Sequence, residues 1–469
     1  MRTEIQNQDH NLVIAELKDL RKKKSIYNLK SISNNYTTYL KHHYMSGNAM
    51  MSTVILINYL TNLEKNRKTL FSRISKWFSN PIKLNVDSTQ SIIYLMELQN
   101  SSEKIIDIIL KIDKKTIEKN SYREYFLAFT QINRLRYILP NFMMTYGQFK
   151  CIKPSESNET IYFNKLCKPK GNYVNYTLYE RIVGISFENY LTSYDLKYNE
   201  FLKCFIQILF ALEKSQEECG FTHFDLHYDN IILRSVNNKT FEIYSNGLKY
   251  KIKTGKYVPV LIDYGHACVK KYNGKTYRYI GYGDFPEHGM MNFMIPGYDM
   301  YKIMYFCIYK LSKNLLKENL QKLKSESQKI LNMLRQIFLF FYGKSEPYSI
   351  FKRNKVNKEN LDKCMEEYGK MATYSSIANK TPIQLIKFLI DSNIINIDKS
   401  FQVNPVPFQR DKSSLNIITK YMIVDVIQPK CNILYKNNNL LSLKKYIEII
   451  TNLVESDNDI HEHIMLSLI

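Results

Sequence analysis

Between Phe221 and Gly265 the chain carries His223, Asp225 and Asn230 in an H-x-D-L-x-x-x-N run, an apolar Ile231-Ile232-Leu233, and then Val260-Leu261-Ile262-Asp263-Tyr264-Gly265. Asp225 and Asn230 lie five positions apart across one tight loop, so a carboxylate and an amide can face the same side. Asp263 closes a second apolar run and arrives from a neighbouring strand. One carboxylate can orient an attacking hydroxyl and receive its proton, while an amide and a second carboxylate can hold Mg2+ on nucleotide phosphates; phosphoryl transfer requires all three. An Asp/Asn-rich turn between short strands also arises with no chemistry attached. Two such motifs in order, each beside an apolar strand, favour a site.

The H-x-D-L-x-x-x-N run and the D-Y-G triplet resemble the catalytic loop and metal-binding triplet of the protein kinase fold. Together with N-F-x-x-x-Y-G-x-F-x-C from Asn141 to Cys151, they look like the serine/threonine-protein kinases of large nucleocytoplasmic DNA viruses. The resemblance covers about residues 84 to 310. It implies an α+β, bilobal protein kinase-like fold with a small antiparallel-sheet N-lobe and a large helical C-lobe, extended by helices at both termini. It further implies ATP and Mg2+ as cofactors, Asp225 as catalytic base, and Asn230 and Asp263 as metal ligands. The domains that follow are a basic helical extension over 1–80, an N-lobe over 81–183, and a helical C-lobe with its extension over 184–469.

The elements that must position these residues can be read on both sides of the motifs. Residues 91–98 and 105–112 alternate as an antiparallel hairpin around a polar turn. In the kinase fold the second of these strands carries a phosphate-contacting lysine, and Lys111, embedded in an apolar strand, is the candidate; Lys104, Lys114 and Lys115 read as solvated. A helix over 121–136 places Tyr125, Phe129, Ile132 and Leu135 on one face, with Glu124 in its first turns. By resemblance Glu124 pairs with Lys111, although an acidic residue near a helix N-terminus needs no such role. Residues 141–151 and 176–183 read as strands. The second, followed by Gly184 and Ser186 as a helix N-cap, resembles the hinge between kinase lobes, where Glu180, Arg181, Ile182 and Val183 would line the adenine pocket.

A strongly apolar helix over 198–218 ends at Gly220. Asp225 and Asp263 are 263 − 225 = 38 positions apart, and a hairpin of 241–244 with 248–252 accounts for the excess. Asp299 opens an apolar helix and matches the kinase aspartate that braces the catalytic loop. Further helices read over 315–341, from Thr381-Pro382 to residue 390, and over 443–454.

Sixty-six basic against 44 acidic residues give a formal charge of +22. That favours anionic partners such as nucleotide, acidic protein or nucleic acid, but the lysine- and isoleucine-rich, alanine-poor composition suits an AT-rich genome equally, and no nucleic-acid motif accompanies it. Arg21-Lys22-Lys23-Lys24 reads as a solvated helix end. The eight cysteines show no C-x-x-C pair, which suits reduced thiols. No apolar run reaches the ~18 residues of a membrane span, so a soluble intracellular protein is expected, in host cytoplasm or virion if viral.

Three departures from the kinase pattern stand out. The place of the glycine-rich phosphate loop, residues 85–91, holds no glycine. Phe224 occupies the position of the arginine that reads a phosphorylated activation segment. His227 stands two residues after Asp225, where typical serine/threonine kinases have lysine; aminoglycoside and choline kinase-like enzymes share that feature and phosphorylate small molecules. A protein kinase acting on Ser/Thr hydroxyls, with Asp225, Asn230 and Lys111 as its catalytic residues, is the leading expectation. A small-molecule phosphotransferase and a catalytically weak pseudokinase scaffold are the alternatives.

Overall fold

A computed structural model of the protein describes residues 78–405 with breaks at 85–90, 101–102, 115–120, 122–123, 126, 137–138, 156–158, 161, 163–172, 237–239, 246–247, 273–276, 281–292, 317–320, 344–360, 364–365, 367–368, 370–374 and 395–400. All but the last three residues of the expected extension over 1–80, the expected helix over 443–454 and the glycine-free stretch 85–90 lie outside the described residues. The chain divides into two compact units; the second takes residues 182–408 together with Asn141–Met143.

In the first unit, β1 (Ile82–Lys83), β2 (Ser91–Asn100), β3 (Glu103–Asp113), β4 (Thr145–Ile152) and β5 (Tyr173–Glu180) form one antiparallel sheet in the order β1-β2-β3-β5-β4. Register puts Tyr94 opposite Leu110 and Leu110 opposite Leu178. These three are wholly buried on one face with Ile108, Ile112 and Tyr176, as period-2 alternation requires. Lys111 and its β5 partner Thr177 occupy the opposite face. The helix expected over 121–136 is not uniformly α: Ala128–Ile132 is a π-turn, closed by the Asn133 amide on the Ala128 carbonyl. Tyr125, Phe129, Ile132 and Leu135 are nevertheless buried. Strand boundaries also differ from expectation, since β5 ends at Glu180 rather than 183 and residues 141–144 are not in β4.

The second unit is built on α1 (Phe187–Leu191), α2 (Tyr198–Cys219), α3 (Tyr298–Leu315), α4 (Gln321–Tyr342) and α5 (Pro382–Asp391). Phe205, Ile208, Leu209 and Leu212 of α2 are fully buried, each such side chain contributing about 1.5–3 kcal/mol. Gly220 ends α2 in the left-handed region at φ 56°, with its amide on the Gln216 carbonyl and that of Phe221 on Ser215, an αL closure. β6 (Gly184–Ser186), β7 (Ile231–Ser235) and β10 (Tyr257–Leu261) form a small antiparallel sheet ordered β10-β7-β6. The insertion between the motifs is the expected hairpin, β8 (Thr240–Ser245) with β9 (Leu248–Lys253), and it gains a third strand, β13 (Phe401–Pro405). A further hairpin, β11 (Val269–Tyr272) with β12 (Tyr277–Ile280), follows the D-Y-G triplet.

Four described cysteines, Cys204, Cys219, Cys268 and Cys307, are buried free thiols. Cys151 is disulfide-bonded, which corrects the expectation of reduced thiols at that position; its partner lies outside the described residues. No helix among the described residues is long and apolar enough to cross a membrane.

Candidate active site

The loop bearing Asp225 is held at its base by paired bonds between Thr222 and Cys268, amide to carbonyl in both directions at 3.0 and 2.8 Å. It is then braced from α3. Asp299 accepts the amide of His223 at 2.6 Å and that of Phe224 at 2.9 Å, one on each carboxylate oxygen. Burial pushes this carboxyl up to about 7, against the pull of those amides and of Lys302. Phe224 takes a left-handed φ of 60° and packs its fully buried ring edge-on to Tyr298 at 5.1 Å. A non-glycine residue in that region is strained, and the two amide bonds to Asp299 hold it there.

Asp263 is tied to the same loop through the residue before it. The Ile262 amide donates to the Asn230 carbonyl at 3.0 Å, and the Ile262 carbonyl accepts from His223 Nε2 at 2.9 Å. Pairing of β7 with β10 brings Ile231 opposite Leu261, so Asn230 and Asp263 follow directly from the end of one ladder. Asp263 is exposed and also has a left-handed φ of 60°. Gln207 of α2 steadies β10, donating to the Tyr257 and Thr254 carbonyls. Asn141–Met143 closes the other side: Asn141 Nδ2 donates to the Pro259 carbonyl, and the Leu261 amide to the Asn141 carbonyl. The Tyr264 hydroxyl accepts from the Met143 amide and donates to the Leu261 carbonyl, at 3.0 and 2.7 Å.

Around Asp225 stand one ammonium and two imidazoles. Lys302 Nζ lies 2.9 Å from Oδ1, and His227 and His266 each lie 3.6 Å from Oδ2. Burial raises the Asp225 carboxyl, but the two imidazoles and the ammonium outweigh it and hold it well below the usual carboxylate range. His227 Nδ1 accepts the Asp229 amide at 3.2 Å, which leaves the ring proton on Nε2, facing Asp225. Asn230 Nδ2 stands 3.1 Å from the same Nε2; that contact is a hydrogen bond only in the other tautomer, so the ring satisfies one or the other. Asn230 Nδ2 also donates to the Asp225 carbonyl at 2.8 Å. His223 is different: its Nε2–H is spent on Ile262, its Nδ1 is buried without a partner, and burial pushes the imidazole down to about 4.

The first unit holds Lys111, Glu124, Glu180 and Arg181, while Ile182 and Val183 belong to the second. Lys111 Nζ donates to both oxygens of Glu124, at 3.1 and 3.0 Å, and the Tyr179 hydroxyl donates to Glu124 Oε1 at 3.0 Å. Glu124 is therefore a paired residue, not merely one placed near a helix end. Glu180 is buried, and its carboxylate accepts the Met144 amide and faces Arg136 at 3.5 Å. Arg181 pairs with Asp107 at 2.6 Å. Ile182 is buried, whereas Val183 is 67% exposed. With the Glu180 side chain occupied, backbone is what this stretch has to offer a ligand.

Asn230 and Asp263 supply one amide and one carboxylate oxygen. That is a fitting donor set for Mg2+, which commonly takes one or two side chains and completes its shell with water and phosphate. Among the described residues no cluster of three His, Cys, Asp or Glu side chains competes for it. Reading by motif passed over Lys302 and His266. The signal for the first was a lysine three positions after Asp299 on an apolar helix; the second directly follows D-Y-G.

Over 129 residues, 28% of its length, the chain is 38% identical to the Probable kinase 098L of Invertebrate iridescent virus 3. It is 28% identical over 289 residues, 56% of its length, to the Uncharacterized protein 179R of Invertebrate iridescent virus 6. The matches span 24% and 22% of these two relatives, so the chain accounts for less than a quarter of either. No protein-family model matches. Among solved structures it aligns with the autoinhibited serine kinase domain of the giant muscle protein titin at 12% identity and a TM-score of 0.35, over 76% of this chain and 89% of that one. The five-stranded antiparallel sheet with its Lys111–Glu124 pair, and the H-x-D-L-x-x-x-N loop braced by Asp299, make this chain an α+β protein with a protein kinase-like fold and relatives in invertebrate iridescent viruses.

Proposed function

We propose that the chain is an ATP- and Mg2+-dependent serine/threonine protein kinase, organised as the extension 1–80, the sheet-rich lobe 81–183 and the helical lobe 184–469. The observation that carries this reading is the Ile262 peptide, bonded to both Asn230 and His223, which fixes Asp263 beside the Asp225 loop. In this reading Asp225 aligns the acceptor hydroxyl, and Asn230 and Asp263 present oxygens to the metal. Lys111, fixed by Glu124, presents its ammonium to the nucleotide phosphates. The backbone from Glu180 to Val183 meets the adenine. Mg2+, when bound, neutralises charge on the phosphates. Catalysis of this kind is mostly alignment and charge placement, which suits a loop whose Thr222, His223 and Phe224 amides are all bonded.

The test is transfer of label from radiolabelled ATP in Mg2+ buffer to a panel of basic and acidic proteins and of small alcohols. Wild type, Asp225→Ala and Lys111→Met would be run side by side. Label on protein serine or threonine that falls by at least about 100-fold in both variants is expected. Label on small alcohols alone would select the small-molecule reading, and nucleotide binding without transfer would select the scaffold.

A further inference from the structure

The loop from His223 to Asn230 contains no lysine or arginine, yet its central carboxylate is ion-paired. The ammonium comes from α3. Lys302 Nζ donates to the Phe224 carbonyl at 2.7 Å and to Asp225 Oδ1 at 2.9 Å. Its side chain is 9% exposed, against 29% for Asp225. A lysine this buried is costly unless its charge is matched and its protons are used, and both conditions are met here. The rings of Tyr298 and Phe306 flank the ammonium at 5.8 and 5.9 Å and confine it. Asp299, one turn earlier, holds the amides of His223 and Phe224. A single turn of α3 thus grips three successive loop residues: His223 by its amide, Phe224 by its amide and carbonyl, Asp225 by its carboxylate.

We propose that Lys302 is the positioning residue of Asp225: it fixes the plane of the carboxylate, so that Asp225 aligns the acceptor hydroxyl. This deepens the kinase reading above and rests on it for the identity of the acceptor. The two oxygens have separate duties. Oδ1 belongs to Lys302, and Oδ2, held only by longer contacts to Asn230 Nδ2 at 3.4 Å and to His227 and His266 at 3.6 Å, is the one to accept from a hydroxyl. In the transfer, the hydroxyl oxygen bonds to the γ-phosphorus as the bond from that phosphorus to the bridging oxygen breaks. The hydroxyl proton passes to a phosphoryl oxygen and from there to water.

The decisive measurement follows the Asp225 carboxyl carbon by NMR at one fixed pH in full-length protein labelled at aspartate, with Asp225→Asn identifying the resonance. In Lys302→Met this resonance is expected to move, and in Lys302→Arg to stay near its wild-type position. In the kinase assay Lys302→Met should lower kcat on the order of 100-fold with little change in KM for ATP, and Lys302→Arg should restore at least about a tenth of the activity. A Lys302→Met protein with unchanged kcat and an unmoved Asp225 resonance overturns the proposal, and so does a Lys302→Arg protein as impaired as Lys302→Met. Should Lys302→Met not fold, Lys302→Arg against wild type decides by the same two readouts. If wild type transfers no phosphoryl group, the kinase reading fails while the resonance still judges the Lys302–Asp225 pair.

Discussion

His223 shows what one buried side chain does to this loop. It is fully buried, neutral and bonded through Nε2 to the peptide that leads into Asp263. Burial lowers its imidazole from 6.5 to about 4. Because the folded value lies below the unfolded one, its contribution to stability is complete above about pH 6.5 and is lost as pH falls toward about 4. The full swing is about 3 kcal/mol. Urea unfolding at a series of pH values should therefore show wild type losing about that much relative to His223→Gln between pH ~7 and pH ~4, with a constant difference above pH ~6.5. A difference that does not vary with pH would refute the buried neutral imidazole. At this scale the sequence was informative wherever residue type sets the chemistry. Asp225, Asn230 and Asp263 could be singled out from type and spacing, and Lys111, Glu124 and Asp299 through the kinase resemblance. Lys302 could not, because its contact with Asp225 spans 77 positions and depends on the path of α3.

Among the elements, β6 is sensitive to a small change. Gly184 lies so close to β7 that an added Cβ would meet the Leu233 carbonyl oxygen at 2.0 Å and its carbon at 2.7 Å. Neither is a flexible side-chain end. Gly184→Ala should thus cost about 1–3 kcal/mol through loss of the Gly184–Arg234 pairing. Ile185→Ala next to it, at a 39% exposed position, should cost less than about 1 kcal/mol. Thermal unfolding of the two variants checks this, and equal costs would count against the close approach. The sequence marked Gly184 as part of a hinge-like pattern but gave no hint of the strand it touches. The π-turn at Ala128–Ile132 was equally hidden, since one extra residue in a helical turn barely alters an apolar periodicity. Strands and helices with strong alternation or long apolar faces, such as β2, β3 and α2, were read within a few residues. β13 was not, because pairing with β9 is a long-range event with no local signature.

For the molecule as a whole, the buried Phe224 bears on regulation. Its ring packs on Tyr298 at the position where switch-controlled kinases carry an arginine for a phosphorylated segment. Activity of the purified protein should therefore be equal, within about twofold, before and after exhaustive phosphatase treatment; a loss would show that a phosphate is read by other means. One further property lies in the three residues Asn141–Met143. They are bonded to Pro259, Leu261 and Tyr264 across as many as 121 positions. During synthesis that clasp cannot close until Tyr264 has left the ribosome, so everything between must wait with the triplet unsecured. Contacts of such long sequence separation are slow to form. The end of β10 that leads into Asp263 is therefore among the later parts of the chain to reach its native state, and a nascent chain stopped short of it has Asn141 with no strand to hold.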